Sequence, residues 1–235
     1  MRIGPGAGLA VSLRRSARAR RFSLRVSQID GRISLTLPAR AREAEALRFA
    51  REHEGWIRAA LLRMGFDPEA PAAETVRFGD RVLFEGRSLT LTPAPLRTAR
   101  VEDGALLLPA DPERMPARLA AFLKLAARDR LTRASDRHAA ALGRRYARIT
   151  LRDTRSRWGS CAQDGALMYS WRLIMAPAEV LDYVAAHECA HLVEMNHSQA
   201  FWDLVERLDP DWRRHRAWLR TEGNALHKLR LSSPD

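Results

Sequence analysis

His187-Glu188-Cys189-Ala190-His191, with His197 following six residues later, is the stretch on which the reading of this 235-residue chain turns. On an α-helix, positions i and i+4 share one stripe about 6 Å apart along the axis, so the imidazoles of His187 and His191 can hold one cation between them. Glu188 sits about 100° around the axis. That is near enough to reach a water beside the cation and badly aimed for ligation, so the residue reads as a general base. Two neutral imidazoles and a proton acceptor at this spacing point to a zinc hydrolase centre.

A catalytic zinc site needs three protein ligands and one open position. His197 is the best third ligand. Continued as regular helix it would point about 240° away from His191, so the chain must turn between them. Asn196 can supply that turn by adopting the left-handed conformation at a helix end near Met195-Asn196, or it can cap a following helix with Gln199 closing a capping box. Glu194 is the alternative, as ligand or as a hydrogen-bond partner of a ligand histidine, because it lies three residues after His191 on the same stripe if the helix continues. Upstream, proline opens the run Pro177 to Ala186, and Val180, Leu181 and Val184 form an apolar stripe. Three of the chain's seven histidines fall within eleven residues on this buried helix and its continuation, which core packing alone does not explain.

Outward from that helix the residues resemble a known family. Ser156-Arg-Trp-Gly-Ser-Cys161, Trp171-Arg-Leu, Ala176-Pro, the His187 to His191 motif, Asn196-His-Ser198 and Phe201-Trp202 occur in the order seen in the YgjP-like metallopeptidases, relatives of the SprT-like zincins. The motifs lie between about Arg152 and Trp202, and a weaker likeness reaches back to Arg18-Ala-Arg-Arg21. The resemblance implies that His187, His191 and His197 hold zinc and that Glu188 is catalytic. Two departures stand out. Cys189 occupies a position usually aliphatic, and Tyr169-Ser170 stand where an apolar-Asn pair is common.

Composition bounds the remainder. With 46% hydrophobic residues the chain can bury a sizeable core as one large domain or two small ones. No apolar run approaches the roughly 20 residues of a membrane helix, and the basic start lacks a following apolar segment and cleavage site. Two cysteines, Cys161 and Cys189, make no disulfide framework, so the expected compartment is a reducing cytoplasm. The net charge of +12 is almost wholly arginine and clusters at 14–25 and 144–157. Such clusters suit phosphate groups or an acidic substrate segment, although a solvated basic face would look the same.

Along the chain, residues 1–20 read as a basic mobile tail. Residues 21–110 read as a β-rich N-terminal portion with one helix: a hairpin over Phe22–Pro38 turning at Asp30-Gly31, a helix over Ala41–Met64 stopped by Gly65 and Pro68, then antiparallel meanders from Thr75 to Pro109 punctuated at Gly79-Asp80, Glu85-Gly86 and Asp103-Gly104. Residues 111–222 form the zincin-like metal-binding portion. It starts with a helix to Leu142 that buries Leu119, Phe122, Leu123, Ala126 and Leu131, continues with strands at Tyr146–Arg152 and Leu167–Trp171, and ends in helices carrying Phe201, Trp202, Val205, Leu208, Trp212 and Trp218 as core. Residues 21–222 are expected to form one compact unit, and 223–235 a frayed C-terminal tail. His53 and His138 read as structural or exposed.

The fold expected is therefore α+β, a zincin-like core behind antiparallel hairpins. One Zn2+ ion lowers the pKa of its water toward about 7, Glu188 takes the proton, and the same residue returns it to the leaving amine of a peptide. Tyr183, one turn before His187, and Arg157 are candidate oxyanion donors, and Arg155 and Trp158 are candidate substrate contacts. An exposed edge strand, either of the two flanking the 152–166 loop, can bind an extended peptide. A peptide or protein is the expected substrate. Two alternatives use the same centre: hydrolysis of a nucleotide triphosphate with the arginine cluster on its phosphates, and a nucleic-acid-associated zincin.

Overall fold

Leu9, Val11 and Leu13 alternate with Ala10, Ser12 and Arg14, the period of two that turns one side of a strand toward a core and the other toward solvent. In the computed structural model, which describes residues 1–4, 8–27, 31–64, 67–68 and 75–231, this alternation forms a strand. The chain divides into two units, Met1–Glu74 and Thr75–Asp235.

In the first unit β1 (Arg2–Ile3), β2 (Leu9–Ser16), β3 (Ser23–Val26) and β4 (Ile33–Pro38) make a sheet in the order β1-β2-β4-β3. Helices α1 (Glu43–Glu52) and α2 (Glu54–Arg63) follow, breaking at His53 where one helix was read from the periodicity. Leu35, Leu37, Ala46, Ala50 and Ile57 are fully buried in this unit's core. Residues 1–20 thus carry two strands rather than a tail. Their outward positions are arginine, serine and alanine, and that polar content masks the strand period. The β3–β4 hairpin pairs Val26 with Ile33, which leaves a turn longer than two residues. Asp30 and Gly65 lie outside the described residues.

In the second unit β5 (Arg81–Phe84), β6 (Arg87–Ala94), β7 (Arg100–Glu102) and β8 (Ala105–Pro109) make a sheet in the order β5-β6-β8-β7. Two-residue turns at Glu85-Gly86 and Asp103-Gly104 close its hairpins with positive φ at both positions of each, the geometry that matches strand twist. The hairpins are antiparallel as expected, but the central pair β6–β8 is parallel. This sheet repeats the first in topology and register. Leu13↔Leu35↔Leu24 in β2, β4 and β3 corresponds to Leu91↔Leu106↔Val101 in β6, β8 and β7, and a helix follows each sheet.

That helix, α3 (Met115–Ala141), opens with Pro116 in its first turn and buries Met115, Leu119, Leu123, Ala127 and Leu131 at four-residue intervals. Strands β9 (Arg148–Arg152), β10 (Gly159–Cys161) and β11 (Ala166–Ser170) form a third sheet, ordered β10-β11-β9. A 3₁₀ turn at Trp171–Met175 leads into α4 (Ala178–Ala190), α5 (Gln199–Leu208) and α6 (Trp212–Thr221). Helix α4 lies at the centre, packed on α3, α5, α6 and β10. The backbone N–H groups of Glu85 and Gly86 donate to the carbonyls of Ile174 and Met175, so the β5–β6 turn fixes the chain just before α4. Strands from 75 onward share one apolar core with the helices, which places the boundary at Glu74–Thr75 and not near residue 110, and gives two cores where one unit was expected over 21–222.

The segment after α6 is not frayed as far as residue 231. Gly223, Leu226 and His227 are buried in a 3₁₀ turn, and the buried Arg172 guanidinium donates to the carbonyls of Leu226 and Leu229 while gripping Asp153 at 2.6 Å. Residues 232–235 lie outside the described residues. No helix among the described residues is long and apolar enough to cross a membrane.

Candidate metal centre

Helix α4 is apolar almost all round, which suits an element covered by three helices and a strand. Its regular hydrogen bonding stops at Ala190, and His191 is the C-cap residue. The backbone N–H groups of Leu192, Val193 and Glu194 fold back onto the carbonyls of Cys189 and Ala190. The helix therefore ends several residues before Met195-Asn196, and the turn does not depend on Asn196. Ser198 starts α5, its Oγ accepting from the Phe201 N–H at 3.4 Å, while Gln199 bonds forward to Asp203 and closes no capping box.

The early turn brings His197 back over the helix. Side-chain nitrogens of His187, His191 and His197 all lie within 4.8 Å of one another, and Nε2 of His187 and of His197 are 3.2 Å apart. Two nitrogens bound to one tetrahedral zinc at about 2.05 Å would be roughly 3.3 Å apart, so the observed spacing is that of ligands aimed at a common point. His191 Nδ1 donates to the Glu194 carbonyl at 2.9 Å, which leaves its Nε2 for a cation. Glu194 thus meets a histidine through its backbone, and its carboxylate is not among the converging groups.

Aromatic rings wall the cluster. Phe201, fully buried, stacks on His191 at 4.4 Å between centroids, and Trp202 leans on His197 at 5.7 Å and stacks on Trp212. Burial, reinforced by the neighbouring imidazoles, pushes His187 down to about 3, and burial lowers His191 too. Both rings are therefore neutral near pH 7, the form that binds metal. Among the described residues His187 Nδ1 is buried without a hydrogen-bond partner, and its Nε2 faces His197.

Glu188 is 6% exposed, and burial drives its carboxyl up to about 8 against the opposing charge of Arg157 and the N–H of Cys161, which donates to it. Strand β10 supplies that N–H and lies directly over the carboxylate. A Cβ at Gly159 would meet Glu188 Oε1 at 2.5 Å, so glycine leaves the room the carboxylate occupies. β10 is also the sheet edge on this side, whereas β11 is internal and β9 forms the opposite edge. The peptide-accepting edges expected at 146–152 and 167–171 are thus not the one beside the histidines. Three residues within a loop are too few to show a period of two, and the clue in the sequence was the Gly159-Ser-Cys161 run itself.

Tyr183 lies edge-on to His187 at 5.9 Å, and burial pushes its hydroxyl up to about 12, keeping it a donor. Trp158 faces elsewhere, stacking on His227 at 5.0 Å and closing on Gly223. Arg155 stays half-buried in the loop between β9 and β10. Cys161 turns its thiol to the Ala162 carbonyl, and burial raises it to about 11, so no thiolate joins the cluster. Cys189 is a core residue, bonded through sulfur to the Ser135 carbonyl at 3.6 Å. His53 bonds the Phe49 carbonyl, and His138 is buried against Asp182.

Comparison with known proteins identifies the family. The sequence model described as YgjP-like, metallopeptidase domain, matches residues 20–222. No curated protein matches. Among solved structures, the metallopeptidase zymogen abylysin of Pyrococcus abyssi is 19% identical, with 39% of this chain and 95% of that one covered at a TM-score of 0.36.

Proposed function

Because this chain belongs to the YgjP-like metallopeptidase family, we propose that it is a zinc-dependent peptidase whose ion is held by His187, His191 and His197 and whose general base is Glu188. The observation that carries the reading is the convergence of three imidazoles beside the buried carboxyl group of Glu188. When bound there, zinc supplies Lewis acidity that makes water nucleophilic near neutral pH.

The chain's own residues do the rest. Glu188 accepts a proton from the attacking water and delivers it to the departing amine, and the Cys161 N–H holds its carboxylate in one orientation. Tyr183, whose ring lies edge-on to His187, would donate a hydrogen bond from its hydroxyl to the developing oxyanion. β10 is the edge strand on this side of its sheet, and an extended peptide would add to it as a further strand. Phe201 and Trp202 exclude water from one side.

The test uses the full-length protein, stripped with a chelator and reloaded with zinc, on casein and separately on nucleoside triphosphates. Zinc-dependent cleavage of casein that is lost in Glu188→Gln supports the peptidase. Release of pyrophosphate or phosphate with casein untouched would replace it with phosphoanhydride hydrolysis at the same centre.

A further inference from the structure

The two sheets share order, register and a following helix, so the second is an internal control for what the architecture itself demands of the first. The control exposes a large difference in charge. Residues 1–42 contain ten arginines and one acidic residue, Asp30, a formal +9. The corresponding stretch, 75–113, contains five arginines and six acidic residues, a formal −1. The fold is built equally well either way. Nor does an arginine-rich codon bias explain the excess, since it would act on both stretches alike.

The charge is also placed on one face. Outward positions across the first sheet run Ser12↔Ser34↔Arg25 and Arg14↔Thr36↔Ser23, all exposed or half-exposed, while Val11, Val26, Ile33, Leu35 and Leu37 on the other face are buried. Arg14 and Arg25 stand on either side of β4 and two residues apart along it, roughly 12 Å by strand spacing and rise. Ser16 pairs with Pro38 and Ser23 with Thr36, so the connection between β2 and β3 crosses the same end of the sheet and brings the exposed Arg18, Arg20 and Arg21 there. Among the described residues none of these five arginines has an acidic partner. The matching positions of the second sheet are Thr92 for Arg14 and Glu102 for Arg25, and of the two arginines on that face, Arg100 is bound to Glu102 at 2.8 Å and Arg81 donates to Ser88.

We infer that the open face of the first sheet is a docking surface for the phosphate backbone of a double-stranded nucleic acid. Five uncompensated guanidiniums repel one another unless an anion lies among them, and arginine forks with serine and threonine hydroxyls match phosphate oxygens. Among the described residues the face carries no aromatic side chain, so it offers no stacking platform for single strands. Among the described residues it carries no large apolar side chain to insert between lipids, which separates it from a membrane-binding face. Recognition would be of the backbone, without base readout. This surface goes beyond the peptidase reading and stands without it.

The test is fluorescence anisotropy of a short, labelled, mixed-sequence DNA duplex titrated with the full-length protein at several salt concentrations. Binding that weakens steeply with salt is expected. Arg14→Ser/Arg25→Ser should weaken it about tenfold at fixed salt and reduce the log–log salt slope by about two. Arg18→Ser/Arg20→Ser/Arg21→Ser, outside any strand, should do the same if the first variant fails to fold. Arg100→Ser on the equivalent face should change neither quantity. No binding at low salt, affinity unmoved by both arginine variants, or capture by phosphatidylserine vesicles without capture by the duplex would each overturn the inference.

Discussion

Glu188 is held from two directions, by the helix that bears it and by β10, and the two holds can be separated by substitution. Glu188→Gln preserves volume and removes the proton acceptor, so bound metal measured by mass spectrometry should be unchanged while peptide hydrolysis falls by roughly 10²–10⁴. His191→Ala should lose metal and activity together. Gly159→Ala places a methyl group 2.5 Å from the native position of Glu188 Oε1, so the carboxylate must move. It is expected to keep its metal and lose most of its turnover. Full activity in that variant would show that the carboxylate's position is not critical. The spacing of His187 and His191 was readable because a helix converts four residues into one turn. The surroundings of Glu188 were not, because Gly159 and Cys161 arrive from a strand whose pairing no local pattern reveals.

Elements position these residues through their ends. Helix α4 stops at Ala190, and Ser198 starts α5, so His197 sits in the only turn that joins them. Ser198→Ala removes the cap and should cost about 1 kcal/mol in denaturant unfolding, with weaker zinc affinity because His197 precedes the cap directly. An unchanged zinc affinity would mean that the turn is fixed by Phe201 packing instead. Leu123→Ala in the buried stripe of α3 should cost about 2–5 kcal/mol by the same measurement. The long stripe of α3 was legible from its four-residue interval, as were the two-residue turns at Glu85-Gly86 and Asp103-Gly104. The parallel pairings β2–β4 and β6–β8 were not, since they join strands across an intervening hairpin strand and leave no short-range signal. Strands β1 and β2 escaped notice because their outward residues are arginine, serine and alanine.

Across the whole molecule, stability should depend on acid and on metal. Burial alone would raise the Asp182 carboxyl, but the hydrogen bond and charge of His138 and the charge of Arg137 outweigh it and hold the group below 3.8. A carboxyl depressed by folding contributes stability above its unfolded value and loses it as pH falls through the folded one. Unfolding midpoints should therefore drop below about pH 4, and Asp182→Asn should flatten that limb of the curve. Chelation should lower the thermal midpoint at neutral pH, because an ion held as proposed by His187, His191 and His197 would bind only their folded arrangement. The fold class, helix order and histidine cluster could be read from the residues, whereas the division at Glu74–Thr75 depends on which strands share a core and emerges only in three dimensions. The most direct test of the account is zinc K-edge absorption spectroscopy on the purified, zinc-loaded protein. Three imidazole nitrogens and one oxygen at about 2.0 Å, falling to two imidazoles in His197→Ala, are predicted. A first shell with fewer than three imidazoles in the unmodified chain, or one untouched by His197→Ala, would contradict it.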